Sequence, residues 1–171
     1  MRKSFSFWPV AGFVFVSILG TLLHFAYEWS GQRVLVAPFS GVNESVWEHM
    51  KLLYVPLLAF ALLERRLRRD AAGNGCALLL GAVAGLATIP LLYYTYTGAL
   101  GLSADWFNIA IFYVAASVPF WVQSRRWGHC RNSKAAWAAL LLLGGLFVLF
   151  TFAPPHIPLF RDPLTGQYGV S

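Results

Sequence analysis

The chain has 171 residues; 58% are hydrophobic, 12% are Asp, Glu, Lys or Arg, and the formal net charge is +6. A soluble domain is about 25% charged, so the composition excludes an ordinary soluble protein and points to a membrane protein. The positive charge does not mark a nucleic-acid binder either, because ten of the thirteen Lys and Arg residues fall in three short patches, Arg2-Lys3, Arg65 to Arg69 and Arg125 to Lys134, where membrane orientation explains them.

Apolar stretches of about 18 residues or more read as membrane spans, and the chain predicts five of them. The first covers residues 8–29. Its basic start resembles a secretion signal, but no small-x-small cleavage site follows, so an uncleaved span with its N-terminus inside is expected. The second covers 43–63. Asn43 or Ser45 can cap it, Ser45-Val-Trp-Glu48 fits a capping box, and Pro56 is a candidate kink. The third covers 76–97 and carries Gly81 and Gly85 at the spacing that lets helices approach closely, within this chain or in a homo-oligomer. The fourth covers 105–122, with Ser103 as a cap and Asp105 at the positive helix end. The fifth covers 135–152, and Pro154-Pro155 then starts a proline-rich tail, 153–171.

The expected architecture is therefore an all-α, single-domain membrane bundle with its N-terminus in and its C-terminus out. Short cytoplasmic loops carry the Lys and Arg excess. The gaps between the basic patches hold Glu28, Glu44, Glu48, Asp105 and Asp162, with His24, His49 and His156. Cys76 and Cys130 fall beside basic loops, in the reducing compartment, where no disulfide is expected.

The acidic end is where chemistry is expected. Ser17, Thr21, His24 and Glu28 follow each other at steps of 4, 3 and 4, so they share one helical face. Glu44, Glu48 and Lys51 share a face of the next helix, with His49 about 100° round. A short loop makes these helices neighbours. His24, Glu44, His49 and His156 are the candidate metal ligands, for a divalent transition metal such as zinc, iron or manganese. Glu28 and Glu48 are the candidate proton carriers, and Lys51, Asp105, Asn108 and Arg161 are candidate substrate-binding groups. The apolar residues of the tail, Ile157, Leu159 and Phe160, predict that it folds over the acidic end and sets His156 there. Each of these residues also has an ordinary structural role available, as a helix cap, an intrahelical pair or an interface anchor. No H-E-x-x-H, G-x-S-x-G or phosphate-cradling glycine loop is present.

Three segments are long and specific: His24-Phe-Ala-Tyr-Glu-Trp-Ser-Gly31, Val42-Asn-Glu-Ser-Val-Trp-Glu-His-Met-Lys51, and Pro154-Pro-His-Ile-Pro-Leu-Phe-Arg-Asp-Pro-Leu-Thr-Gly-Gln-Tyr-Gly169. Together with Tyr94-Thr-Tyr-Thr-Gly98 they resemble a family of small bacterial membrane proteins without an assigned function. The resemblance implies a multi-pass protein of the bacterial inner membrane and supplies no reaction. A looser likeness links the His and carboxylate set to multi-helix membrane metallohydrolases such as alkaline ceramidases, whose serine arrangement is missing here. Three readings follow: a metal-dependent hydrolase acting on a lipid or lipid-linked substrate, a proton- or ion-coupled transporter, and an accessory subunit. The inner halves of the spans are almost entirely apolar, which favours a one-sided pocket over a conduction path.

Overall fold

The computed structural model describes residues 7–68, 74–126 and 133–170. Five helices follow in order: α1 (Phe7–Trp29), α2 (Val46–Leu67), α3 (Gly75–Leu100), α4 (Asp105–Arg126) and α5 (Ser133–Phe152). All five are long and apolar enough to cross a membrane, and no strand occurs among the described residues. Backbone polar groups cannot be left unpaired in hydrocarbon, which is why such a sequence folds as helices. The loops α1–α2 and α3–α4 and the C-terminal tail lie at one end of the bundle, here the tail end. The opposite end carries Arg65, Arg66, Arg125 and Arg126 in the last turns of α2 and α4. The patches Arg2-Lys3 and Arg69-Asp70, and residues 127–132 with Cys130, lie outside the described residues.

Helices α2 and α4 run about a turn beyond the apolar stretches that announce them, because their arginine-rich ends continue the helical pattern. Helix α3 stops at Gly101, whose φ of +67° only glycine adopts without strain. The α2 start corrects the expected capping box. Ser45 is the cap and accepts from the Glu48 N–H at 3.4 Å. The reciprocal half is absent: the Ser45 N–H donates to Asn43 Oδ1 at 2.9 Å, while the Glu48 carboxylate turns to Lys51 at 2.6 Å. A full charge attracts the carboxylate more strongly than a backbone amide does.

Small residues set the helix contacts. A Cβ on Gly81 would lie 2.7 Å from the Pro119 carbonyl oxygen, and one on Gly85 would lie 2.8 Å from the Pro119 ring. The small-residue face of α3 is thus filled by α4 of the same chain. Helix α1 uses Gly12 against Phe60 and Phe120, and Gly20 against Phe112 and the Leu52 carbonyl. Val16, Leu53, Leu57, Leu86, Ala115 and Phe147 fill the buried centre. The α3 and α5 starts meet, with the Gly75 N–H donating to Ser133 Oγ at 3.2 Å. Cys76 lies beside that junction, and the expectation that no disulfide forms involves Cys130, outside the described residues.

The tail folds back on its own end of the bundle. Phe160 is buried, its ring 4.8 Å from Trp47 and 5.4 Å from Phe150. Asn43 Nδ2 donates to the Gly169 carbonyl at 3.0 Å, and the Val170 N–H to the Thr151 carbonyl at 3.2 Å. Between these anchors Asp162 builds a turn, its carboxylate accepting from the Leu164 N–H and the Thr165 hydroxyl at 2.8 and 2.9 Å. The carboxylate is occupied within its own loop, as Asx turns require.

A candidate metal centre at the tail end

The α1–α2 loop returns the chain to the end of α1. Ser40 is fully buried and enters the α1 ladder: the Tyr27 N–H donates to its Oγ at 2.9 Å, and its hydroxyl donates to the Leu23 carbonyl. These two bonds fix the loop to α1 on either side of His24. Glu44 then arrives just before the α2 cap, and His49 one turn into α2.

His24, Glu44 and His49 converge. His24 Nε2 is 3.7 Å from one Glu44 oxygen, and His49 Nε2 is 3.5 Å from the other. One donor atom from each residue lies within 4.8 Å of both others. Metal–ligand bonds of about 2.0–2.2 Å in a tetrahedral site put neighbouring donors about 3.3–3.6 Å apart, so the two contacts with Glu44 are close to ligating separations. His49 Nδ1 lies 3.0 Å from the Ser45 carbonyl. A carbonyl only accepts, so Nδ1 carries a proton, and the ring is set with Nε2 toward Glu44. That outer hydrogen bond is the usual device for orienting a ligating histidine. The three side chains are 31%, 42% and 28% exposed, so an ion can reach them.

Two cavities adjoin the triad, of about 230 Å³ and 500 Å³. Both are bordered by Glu44, His49, Asp105, Asn108, Phe112 and Leu164. Asp105 is exposed on the opposite wall, in the first turn of α4. Asn108 is held by the Tyr96 hydroxyl, which donates to its Oδ1, and by its own Nδ2, which donates to Ser103 Oγ at 3.1 Å.

The other sequence candidates lie elsewhere. Glu48 is 2% exposed and Lys51 fully buried. Lys51 Nζ donates to Glu48 at 2.6 Å, Thr151 Oγ1 at 2.7 Å and the Ala37 carbonyl at 2.8 Å. The Val42 N–H donates to Glu48 at 3.1 Å. Neither residue borders the cavities. Glu28 is exposed one turn beyond His24. His156 is exposed and sets its ring edge-on to Tyr168 at 4.7 Å, and Arg161 is exposed beside Gly166. The tail reaches the cavity mouth through Pro163 and Leu164 instead.

Ser40, Leu164 and the buried Thr151 escaped sequence reasoning. Ser40 and Thr151 are too common in loops and membrane helices to single out. Leu164 had a readable signal: an apolar residue at the tip of an Asp-Pro-Leu-Thr-Gly turn, 80% exposed.

No curated protein and no solved structure matches this chain. A family model described as a family of unknown function (DUF6512) matches residues 1–170, and the chain with its five membrane-length helices belongs to that family.

Proposed function

We propose that this protein is a multi-pass metalloenzyme of the bacterial inner membrane, with its tail end outside, that hydrolyses a lipid or lipid-linked substrate. The observation that carries this reading is the His24–Glu44–His49 triad, with its pre-oriented His49 ring, at the head of cavities whose deeper walls are apolar. Catalytic metal sites typically use three protein ligands and keep a further position open. A divalent transition metal bound there supplies a Lewis acid and an acidified water.

The chain's own residues do the rest. Glu44 gives both oxygens to the two imidazoles and leaves its outer side to solvent. Asp105, across the mouth, is placed to accept a proton and to raise the local affinity for a cation. Asn108, immobilised by Tyr96 and Ser103, presents its remaining amide hydrogen and lone pair to a polar substrate group. Glu48 and Lys51 hold the α1–α2 loop through Val42 and Ala37, and so position Glu44 without touching substrate. The bundle below the triad is closed by Val16, Phe60 and Phe120, which supports a one-sided site over a transport path.

The test is elemental analysis of chelator-free purified protein, followed by incubation with extracted membrane lipids and mass-spectrometric detection of products. Stoichiometric metal with hydrolysed lipid, both lost in Glu44→Gln, is the expected result. Metal below about a tenth of an equivalent would overturn the reading. Proteoliposome ion flux that stops in Glu44→Gln, without lipid turnover, would replace it with a transporter.

A further inference from the structure

The two cavities at the triad differ in a way that selects a substrate. They share a mouth and diverge on the two flanks of α4. Phe112, seated against Gly20 of α1, stands between them. The smaller opens at the shared mouth and is closed at its inner end by Ile89 and Ile111, each 5% exposed. The larger runs between α1 and α4 beside Phe25, Ile109 and Tyr113, which are 41%, 57% and 39% exposed. Those residues are on the bundle perimeter, within helices long enough to span the bilayer, so the larger cavity opens sideways to hydrocarbon. A cavity of about 150 Å³ accommodates a benzene ring. The closed arm, at about 230 Å³, therefore holds one ring or a short alkyl group, while the open arm sets no limit on length.

Resting on the metal-centre reading above, we infer that the substrate is a lipid with one long hydrocarbon chain that reaches the triad sideways between α1 and α4. The group on the other side of its polar function is short and enters the closed arm. Several features support a hydrocarbon occupant for the open arm. The arm is lined by Phe25, Leu52, Ile109 and Phe112, it faces the bilayer, and its only strongly polar end is the triad with Asp105 and Asn108. A water-soluble substrate would gain nothing from a perimeter opening, whereas burying a methylene recovers about 0.8 kcal/mol where water is excluded. A lipid with two long chains fits the open arm once and has no second place to go.

The experiment uses N-substituted hydroxamic acids, which chelate divalent metals, on metal-loaded full-length protein in lipid nanodiscs. Affinity is expressed against probe concentration in the membrane, so that partitioning cancels. N-methyl and N-phenyl lauroyl hydroxamates should bind alike, and the N-dodecyl lauroyl compound at least about tenfold more weakly. Ile109→Trp, which narrows the open arm at an exposed position, should weaken the one-chain probes by a similar factor and leave acetohydroxamate unchanged. Tyr93 also lines the closed arm, and Tyr93→Ala, which enlarges it, should restore binding of the two-chain probe. Equal affinity for one-chain and two-chain probes, or indifference to Ile109→Trp, would overturn this inference while leaving the metal centre intact. Absence of metal, or failure of acetohydroxamate to bind, would instead remove the reading on which it rests.

Discussion

Glu44 and Glu48 flank the Ser45 cap of α2, one in the loop before it and one in the first turn after it, and they live in opposite worlds. Glu44 is open to solvent, faces two imidazoles and has no lysine or arginine partner among the described residues. Glu48 is shut in with a fully buried lysine, a threonine from α5 and a loop amide. The difference comes from what covers each. The tail and the end of α5 close over Trp47, Glu48 and Lys51, with Phe160 on Trp47. The other side of α2 faces the cleft toward α1 and α4. One carboxylate is thereby committed to holding the tail end together, and the other is left with unused donor capacity. Two identical groups four residues apart, one in the loop before the α2 cap and one in its first turn, acquire a candidate chemical role and a structural role from packing alone.

The sharpest way to break this contrast is to unpair the buried side. Lys51→Met should leave an uncompensated carboxylate and cost about 3–5 kcal/mol, read as a large loss of thermal stability in detergent. Glu48→Gln combined with Lys51→Met should recover most of that loss, because replacing both members of a buried pair is often neutral. A double variant as unstable as Lys51→Met would show that Glu48 does not depend on its lysine.

On the open side the expectation reverses. Glu44→Gln and His49→Ala should unfold at the wild-type temperature while losing about 100-fold or more in affinity for zinc or manganese, about 2.7 kcal/mol, measured by titration calorimetry. Ser40→Ala comes next in size. It removes both bonds that tie the loop into α1 and should cost about 1–3 kcal/mol of stability. Its metal affinity should fall by less than tenfold, since Ser40 positions His24 only through Leu23 and Tyr27. His156→Ala should be the smallest effect, with unchanged metal affinity and melting temperature. Reduced metal affinity in that variant would show that the tail histidine swings over the triad in solution.

The same contrast marks how far the sequence could be read. Five long runs with few charges made the helices legible, because length and apolar composition mark the segments that cross a membrane. The pairing of His24 with Glu44 and His49 was legible because a short loop makes α1 and α2 neighbours and face periodicity does the rest. Glu48 and Lys51 shared the Glu44 face by spacing, yet their burial depends on Thr151, which lies 100 residues beyond Lys51. Periodicity within a helix carries no information about that cover. The placement of His156 failed for a similar reason. The Asp162 turn and the Gly169 anchor, with its φ of +68°, fix the tail's path, and they bring Leu164 to the cleft while His156 sits edge-on to Tyr168. The small-residue pair of α3 was legible as a contact face, but its partner, Pro119, was not.

The central claim is that His24, Glu44 and His49 hold a metal ion in their own coordination shell. X-ray absorption spectroscopy of the full-length protein, purified without chelators and reconstituted in nanodiscs, tests it most directly. The account predicts a bound divalent transition metal with two imidazole nitrogens and carboxylate oxygen at about 2.0–2.2 Å, falling to one imidazole in His49→Ala and unchanged in His156→Ala. A metal-free protein, or a shell whose imidazole count is the same in wild type and His49→Ala, would contradict it.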